Sequence, residues 1–441
     1  MQGFFNGDFN WQSVTHMYKP NPEHEYDAIV IGGGIAGAAI VRALKNTSIS
    51  NFLVIDEGAH PATGTSNHFA ALCHPYIGRG ASRLQRLTHL AFDEARVVWA
   101  KSWHQGGVFH LAKKGSPFDK EKLSEHLLSL GFNSGSAIAL DKDQSAPIIG
   151  IRSAGTWFPE GGWVNLKKAC EEELGHLQAH QVLWNTRISA IENIAKRWTV
   201  FDEKKQLLAK SKRIFFASSV GTKALVKTIG IDLPLKPVRG QLSTFQFSQE
   251  MPWAKNLPKV ALSGKAYCLP PTTLSGKLYE WQVGSTYDEE VDDLNPWEAS
   301  HDENREQLSE MLDVDVPEKD LMPTDAFVGI RCVAKDRLPM MGPVPGYPGI
   351  YILTALGSRG VMWSALASQM FTEHLACEMH QSAFLDARFF AGARLTAAGL
   401  TADLAGALSP GCCFWGSTFP SRVEAYHRGG PAGLRRVWQW G

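Results

Sequence analysis

Apolar positions along this chain occur either as short unbroken runs or at helical spacing. The runs at 28–31 and 52–55 predict two buried strands, and the small and apolar residues at 38–45 between them predict a helix. Helical spacing recurs at 82–103, a polar helix is predicted at 302–312, and the small and apolar residues at 358–377 predict a core helix. Further strands are predicted at 182–184, 188–194, 198–201, 213–219 and 349–356. Alternation with frequent turns over 237–287 predicts antiparallel sheet.

A glycine-rich turn joins the first predicted strand to the first helix. Its sequence is Gly32-Gly33-Gly34-Ile35-Ala36-Gly37, and the second strand ends at Asp56-Glu57. In the dinucleotide-binding fingerprint, the first glycine permits a tight turn, the second admits a diphosphate, and the third lets helix and strand pack closely. The helix N-terminus supplies N–H groups to the diphosphate. An acid about 20 residues on binds the ribose, with Asp56 the first candidate and Glu57 the second. The chain is therefore predicted to bind FAD or a nicotinamide dinucleotide.

Composition narrows the class of protein further. A length of 441 residues predicts about two or three domains, and 44% hydrophobic with 20% charged residues is typical of a globular protein. The formal net charge is zero, so a nucleic-acid partner would need a local basic patch. No apolar run reaches the roughly 20 residues that span a bilayer, and the first 25 residues lack a secretory pattern. The seven cysteines show no metal spacing. A cytoplasmic protein without metal or membrane partner is expected.

Several short strings later in the chain carry a family resemblance. They are Leu235-Lys236-Pro237-Val238-Arg239-Gly240-Gln241, Gly329-Ile330-Arg331-Cys332, Asp336-Arg337-Leu338-Pro339-Met340-Met341-Gly342 and Leu356-Gly357-Ser358-Arg359-Gly360. In this order they resemble the D-amino acid oxidase (DAO) superfamily of FAD enzymes. Phe158-Pro159-Glu160-Gly161-Gly162-Trp163 and Gly284-Ser285-Thr286-Tyr287 are similar to signatures of one subgroup. That subgroup is the oxidoreductase domain of the bifunctional tRNA 5-methylaminomethyl-2-thiouridine biosynthesis (MnmC) family. The resemblance covers about Tyr26 to Leu375.

The resemblance implies an α/β (α+β) fold in two parts. One is a Rossmann-type FAD-binding domain assembled from discontinuous segments, and the other is a substrate domain built on an antiparallel sheet. The expected FAD-binding segments are 26–106, 155–235 and 326–380, and the expected substrate-domain segments are 107–154 and 236–325. Residues 1–25 are expected to form an N-terminal arm. Residues 381–441 are expected to be an irregular tail.

The resemblance also implies a reaction. The substrate would be the carboxymethylaminomethyl group on the wobble uridine in the anticodon loop of tRNA, which is an N-substituted glycine. FAD would take a hydride from its methylene, the imine would hydrolyse, and glyoxylate would leave 5-aminomethyl uridine. Molecular oxygen is the expected electron acceptor. Since only about 25 residues precede the FAD domain, the methyltransferase domain of the bifunctional family is expected to be absent.

Two arginines are the expected catalytic residues. Arg331 matches the position where related amine oxidases place the arginine that binds the substrate carboxylate, and an interdomain ion pair is its alternative. Arg359 lies at the start of the last core helix. Backbone N–H groups there would face the flavin, and the Arg359 side chain could contact the substrate. Arg239, Tyr267 and Tyr287 are candidates for the substrate pocket. Buried packing is the alternative for the tyrosines, and a salt bridge is the alternative for Arg239.

The remaining expected cofactor contacts lie in two loops. They are Gly64, Thr65, Ser66 and His68 in the first loop, and Gly357, Ser358, Gly360 and Val361 in the second. The sequence departs from the family at Asn67-His68-Phe69-Ala70-Ala71-Leu72, where glycines are usual, and again at Ala217-Ser218-Ser219. His68 falls where dimethylglycine and sarcosine dehydrogenases carry a histidine bonded to FAD, so flavinylation of His68 is a hypothesis, with an ordinary loop histidine as the alternative.

Three readings of the function remain open. The first is the tRNA-modifying oxidoreductase, the second a small-molecule amine oxidase acting on glycine, sarcosine or a related secondary amine, and the third a catalytically inactive flavin- or tRNA-binding protein. Basic clusters could contact RNA phosphates or could be solvated surface. They are Lys113-Lys114, Lys120 and Lys122, Lys167-Lys168, Lys196-Arg197 and the segment 204–213.

Overall fold

The computed structural model describes residues 24–379. The helices are α1 (Ile35–Lys45), α2 (Arg83–Val98), α3 (Lys120–Ser129), α4 (Lys142–Ile149), α5 (Leu166–Leu174), α6 (Gly221–Lys227), α7 (Glu298–Leu312) and α8 (Gly360–Met379). The strands are β1 (Glu25–Tyr26), β2 (Ala28–Ile31), β3 (Phe52–Ile55), β4 (Ala71–Cys73), β5 (Trp103–Gln105), β6 (Val108–Leu111), β7 (Ile138–Leu140), β8 (Gly155–Phe158), β9 (Gly162–Val164), β10 (Val182–Leu183), β11 (Ile188–Ile194), β12 (Arg197–Asp202), β13 (Leu207–Ser211), β14 (Ile214–Phe216), β15 (Leu235–Ser248), β16 (Ala261–Ser263), β17 (Tyr267–Cys268), β18 (Thr272–Ser275), β19 (Leu278–Gly284), β20 (Asp288–Glu289), β21 (Met322–Ala334), β22 (Met340–Pro343) and β23 (Ile350–Thr354). Within this range no helix is both long and apolar enough to cross a bilayer.

A six-stranded sheet forms the first layer, in the order β10-β3-β2-β14-β23-β22. All neighbouring strands are parallel except β22, which runs antiparallel at the edge. Alternate residues of each strand enter different apolar clusters: Val30 and Val54 pack with α1 and α8, whereas Ile29 and Leu53 pack toward the sheet β1-β13-β12-β11. Burial on both faces explains why these strands read as continuous apolar runs.

A ten-stranded sheet forms the second layer. Its main path is β20-β15-β19-β17-β16-β6-β8-β7, with β18 added on β19 and β21 added on β15. The long antiparallel pair β15–β21 brings Val238 opposite Arg331 and Gly240 opposite Gly329. Helix α7 packs through Leu308 and Met311 into the apolar cluster of this sheet, which includes Phe245 and Trp281. A small sheet, β4-β9-β5, completes the described strands.

The mixed α/β class with a parallel and an antiparallel sheet confirms the expected fold class. Every strand of the six-stranded sheet comes from segments expected in the FAD-binding domain. Two strands differ from the expected division into domains. Strand Gly155–Phe158 and residues 326–334 of strand Met322–Ala334 fall in segments expected in the FAD-binding domain, but they pair within the ten-stranded sheet. The expected tail at 381–441 and nearly all of the expected arm at 1–25 lie outside the described residues.

One predicted helix is shorter than expected. The spacing at 82–103 predicts a single helix, but α2 ends at Val98 and the chain turns through Ala100–Ser102 into strand β5. The buried Trp99 indole N–H donates to the backbone oxygen of Val361 at 3.1 Å. This contact with α8 lies far away in sequence, so the local periodicity could not reveal the helix end.

Candidate active site

A cavity of about 1170 Å³ lies between the two large sheets. It is lined by the residues that follow the carboxyl ends of the parallel strands and by residues of β15, β17 and β21. Ligands of open α/β sheets bind at such carboxyl ends. The sequence-predicted residues that line it are Gly32, Gly34, Ala36, Asp56, Glu57, Gly64, Thr65, Ser66, His68, Tyr267, Tyr287, Arg331, Gly357, Ser358, Arg359, Gly360 and Val361. The fold thus brings residues from widely separated segments to one place.

The glycine turn has the backbone form that its sequence predicts. Gly32 has φ +122°, and a side chain there would stand 2.6 Å from the carbonyl carbon of Ala217. A Cβ on Gly37 would overlap the backbone oxygen of Gly32, so Gly37 serves the contact between helix and turn rather than lining the cavity. Glycine at 37 therefore lets α1 begin this close to the turn, and glycine at 32 lets the turn pass close to the backbone after β14.

Asp56 is held at the glycine turn. Its Oδ2 accepts a hydrogen bond from the Gly33 N–H at 2.6 Å, and its Oδ1 accepts one from the Gly58 N–H at 2.7 Å. Glu57 instead points into solvent near Arg187, with 3.6 Å between carboxylate and guanidinium. Asp56 is therefore the acid whose position the fold determines, and ribose binding by either acid stays a prediction.

The loop around Ser66 closes over the start of α1. Ser66 Oγ accepts a hydrogen bond from the Ile35 N–H at 3.0 Å, and a Cβ on Gly34 would stand 2.9 Å from this oxygen. The Thr65 hydroxyl donates to the Ile330 backbone oxygen at 2.8 Å, which ties the loop to β21. The start of α1 and the Ser66 loop both line the large cavity, and the absence of a side chain at Gly34 leaves room for a diphosphate, so the site fits a dinucleotide cofactor.

Arg331 enters the cavity from strand β21. Its guanidinium donates to the Thr286 backbone oxygen at 3.2 Å and to the Ser285 hydroxyl. A Cβ on Gly240 would stand 2.5 Å from the Arg331 Cζ, so the glycine leaves the space that the guanidinium occupies. Burial lowers the pKa of Arg331 from its ordinary value. Among residues 24–379 no carboxylate forms an ion pair with it, although a buried cation favours an anionic partner.

His68 and Tyr267 form a buried pair close to Arg331. The Tyr267 hydroxyl lies 2.9 Å from His68 Nε2 and 3.1 Å from the Ala70 backbone oxygen. Burial, and then the charge of Arg331, lower the pKa of His68 to about 3. Burial raises the pKa of Tyr267 above its ordinary value. Both groups are therefore uncharged near neutral pH, and Arg331 is the charged group among these three side chains.

A second polar cluster on the cavity wall was not predicted. His74 Nε2 lies 2.9 Å from Ser263 Oγ, and His110 Nδ1 lies 3.2 Å from the same oxygen. Burial lowers the pKa of His74 to about 3, with smaller effects of His110 and Arg359. The parallel pairing of β16 with β6 places Ser263 opposite His110. No spacing in the sequence could have indicated this cluster, because its members come from three distant segments.

Arg239 lies away from the cavity. Its fully buried guanidinium contacts Asp288 at 3.1 Å, Gln241 at 2.8 Å and the Asn295 backbone oxygen at 2.7 Å, and it stacks on the Trp297 ring at 3.8 Å. The structure therefore corrects the expectation that Arg239 lines the substrate pocket. It holds the segment between β20 and α7, which agrees with the alternative of an ion pair.

Comparison with known proteins places this fold and site in a family. Residues 27–374 match the family described as FAD dependent oxidoreductase, DAO. The chain therefore belongs to the DAO family of FAD-dependent oxidoreductases, and FAD is its cofactor. Open α/β sheets bind their ligands at the carboxyl ends of the strands, so the cavity and the glycine turn are the candidate site for this cofactor.

Individual relatives show which proteins of this family the chain resembles in sequence. The chain is 29% identical to the tRNA 5-methylaminomethyl-2-thiouridine biosynthesis bifunctional protein MnmC of Thiobacillus denitrificans, over 78% of this chain and 55% of that protein. It is 28% identical to MnmC of Ralstonia nicotianae, over 80% of this chain and 57% of that protein. The chain thus spans about half the length of these relatives.

Solved structures share the fold. Glycine oxidase from Geobacillus kaustophilus aligns with a TM-score of 0.67 and 16% identity, over 83% of this chain and 98% of that chain. Iminodiacetate oxidase from Chelativorans sp. BNC1 aligns with a TM-score of 0.63 and 15% identity, over 82% and 98% respectively. At these identities the likeness concerns the fold alone.

Proposed function

We propose that this chain removes the carboxymethyl group from 5-carboxymethylaminomethyl(-2-thio)uridine at the tRNA wobble position, giving 5-aminomethyl uridine and glyoxylate. The similarity to proteins named for tRNA 5-methylaminomethyl-2-thiouridine biosynthesis supports the substrate class. The observation that carries the proposal is the Arg331 guanidinium, which lines the cofactor cavity without a carboxylate partner in the described part of the chain.

Arg331 would bind the carboxylate of the glycine-like group. A guanidinium presents two parallel N–H donors to a carboxylate, and this pairing is strongest where water is excluded. Its bonds to Thr286 and Ser285 fix the direction of the fork. The anion of the substrate would offset the cost of keeping this cation buried.

The chemistry then requires loss of a hydride and a proton. The flavin, when bound, accepts the hydride from the methylene carbon of the substrate. Loss of the proton from nitrogen leaves an imine, to which water adds, and cleavage of the carbon–nitrogen bond releases glyoxylate and the primary amine. Because His68 and Tyr267 are uncharged, they would leave the amine free to arrive in its neutral form. Molecular oxygen is the proposed electron acceptor.

The remaining predicted residues would hold the cofactor. Backbone N–H groups at the start of α1 would bind the diphosphate, and Asp56 would bind the ribose. The loop Gly64–Ser66 would close over the phosphates, and residues 357–361 would face the flavin ring. His68 lies on the cavity wall within hydrogen-bond distance of Tyr267, so its flavinylation stays a hypothesis; release of all yellow colour by acid denaturation would refute it.

Anaerobic bleaching of the bound flavin tests the proposal. The substrates are tRNA carrying carboxymethylaminomethyl uridine, glycine and sarcosine. Fast bleaching by the tRNA with release of glyoxylate is expected, and Arg331→Gln should abolish it. Arg152→Gln is the matched control, because Arg152 pairs with Asp143 on the exposed surface. Bleaching by the small amines alone would make the chain an amine oxidase, and bleaching by none would favour a binding protein.

A further inference from the structure

A smaller cavity of about 300 Å³ opens beside the main one, and we name it the side cavity. Tyr287 and the segment 355–359 line both cavities. The apolar part of its wall consists of Val333, Leu356 and Trp363, and its polar part of Tyr287, Arg337 and Arg359. An apolar lining with a few polar groups is typical of a small-ligand site.

Two cations at the side cavity lack an anion. In the part of the chain that the structure describes, neither Arg337 nor Arg359 forms an ion pair, and the guanidinium carbon of Arg359 lies 5.1 Å from the centre of the Tyr76 ring. Burial lowers the pKa of Arg359, and the charge of Arg337 lowers it further. Two guanidinium groups that repel each other at a cavity wall are stabilised by a shared anion such as a phosphate.

An exposed aromatic ring stands at the border of the two cavities. Tyr287 is 43% exposed, and the Arg331 guanidinium carbon lies 5.6 Å from its ring centroid. Single-stranded RNA is bound by stacking of bases on aromatic side chains, with cations at the adjoining phosphates. The side cavity combines both elements within reach of the group proposed to bind the reacting carboxylate.

We infer that the side cavity binds the nucleotide next to the reacting uridine, with its base against Tyr287 and Leu356 and its phosphate at Arg337 and Arg359. The inference rests on the proposed function, because it requires an RNA substrate whose modified base enters the main cavity. It assigns RNA recognition to residues that border the active site.

Direct RNA binding tests the inference without requiring catalysis. Fluorescence anisotropy with an unmodified anticodon stem-loop would compare the FAD-loaded wild type with Arg337→Gln and Tyr287→Leu. Arg337→Gln should weaken binding about tenfold at low salt and reduce the salt slope by about 0.7, the value for one phosphate contact on a single strand. Tyr287→Leu should weaken binding on the order of tenfold, and Tyr287→Phe should restore it. Lys335→Gln is the matched control, since Lys335 is an exposed cation two residues from Arg337.

Flavin content, read from visible absorbance, must match wild type in every variant. Equal binding by Arg337→Gln and Lys335→Gln, or no binding of RNA by the wild type, would overturn the inference. Bleaching by the free modified nucleoside, which has no neighbouring phosphate, should be unchanged in Arg337→Gln. A wild type that binds RNA through Arg337 but is not bleached by the modified nucleoside or tRNA would contradict the proposed function and leave the nucleotide site standing.

Discussion

Gly240→Ala should displace Arg331 without removing it. The added Cβ would stand 2.5 Å from the guanidinium carbon, and carbon atoms make favourable contacts at about 3.5 Å, so the guanidinium must move by about 1 Å. A misplacement of about 1 Å in a group that positions substrate costs on the order of 100-fold in rate. We therefore expect kcat/KM to fall about 100-fold, equivalent to about 2.7 kcal/mol of transition-state stabilisation.

The assay is anaerobic flavin reduction with the substrate that bleaches the wild type. The fold should survive Gly240→Ala, because the clash involves the end of a side chain and overpacking of this kind costs about 1–3 kcal/mol. Gly264→Ala is the control, since its Cβ would meet Leu111 Cδ1 at an ordinary 3.7 Å. Wild-type kcat/KM in Gly240→Ala, or an equal fall in Gly264→Ala, would refute the assigned position of the guanidinium.

Three further predictions concern the cofactor, the fold and pH. Gly34→Val should yield colourless protein, because its side chain would press on Ser66 at the start of α1, and recovery of wild-type FAD would contradict this reading. Arg239→Met should lower the free energy of unfolding by about 3–5 kcal/mol, measured by urea denaturation, since it removes the cation that pairs with Asp288 and the donor to two backbone oxygens. The flavin bound to the folded fraction should still be bleached by substrate; a stable but inactive variant would indicate a catalytic role of Arg239. The pKa of His68 is about 3 in the folded chain and about 6.5 in the unfolded chain, so the proton binds preferentially to the unfolded chain. The free energy of unfolding therefore falls as pH drops below about 6.5, by about 2 kcal/mol at pH 5. His68→Gln should make this part of the pH profile less steep by the contribution of one proton, since His74, whose pKa is also about 3, continues to titrate; an unchanged slope would contradict the assignment to His68.

The sequence by itself determined the parts of this protein that depend on neighbouring residues. The glycine turn could be predicted because the positive φ angle of Gly32 and the contact of Gly37 with Gly32 arise within a few positions of the chain. The strands at 28–31 and 52–55 could be predicted because burial on both faces of the sheet leaves continuous apolar runs. The family strings located Arg331 and Arg359, both of which line the cavity.

The tertiary structure decided which polar side chains meet. Arg239 and Arg331 lie in similar strand segments, yet one is enclosed by Asp288 and Trp297 while the other faces the cavity, because β15 and β21 pair with a register that no local pattern encodes. The cluster of His74, Ser263 and His110 likewise depends on strand pairing across 153 residues. Hydrogen bonds and ion pairs act over a few ångströms in space, whereas periodicity in sequence reports only burial, so the site chemistry became visible only when the sheets were assembled.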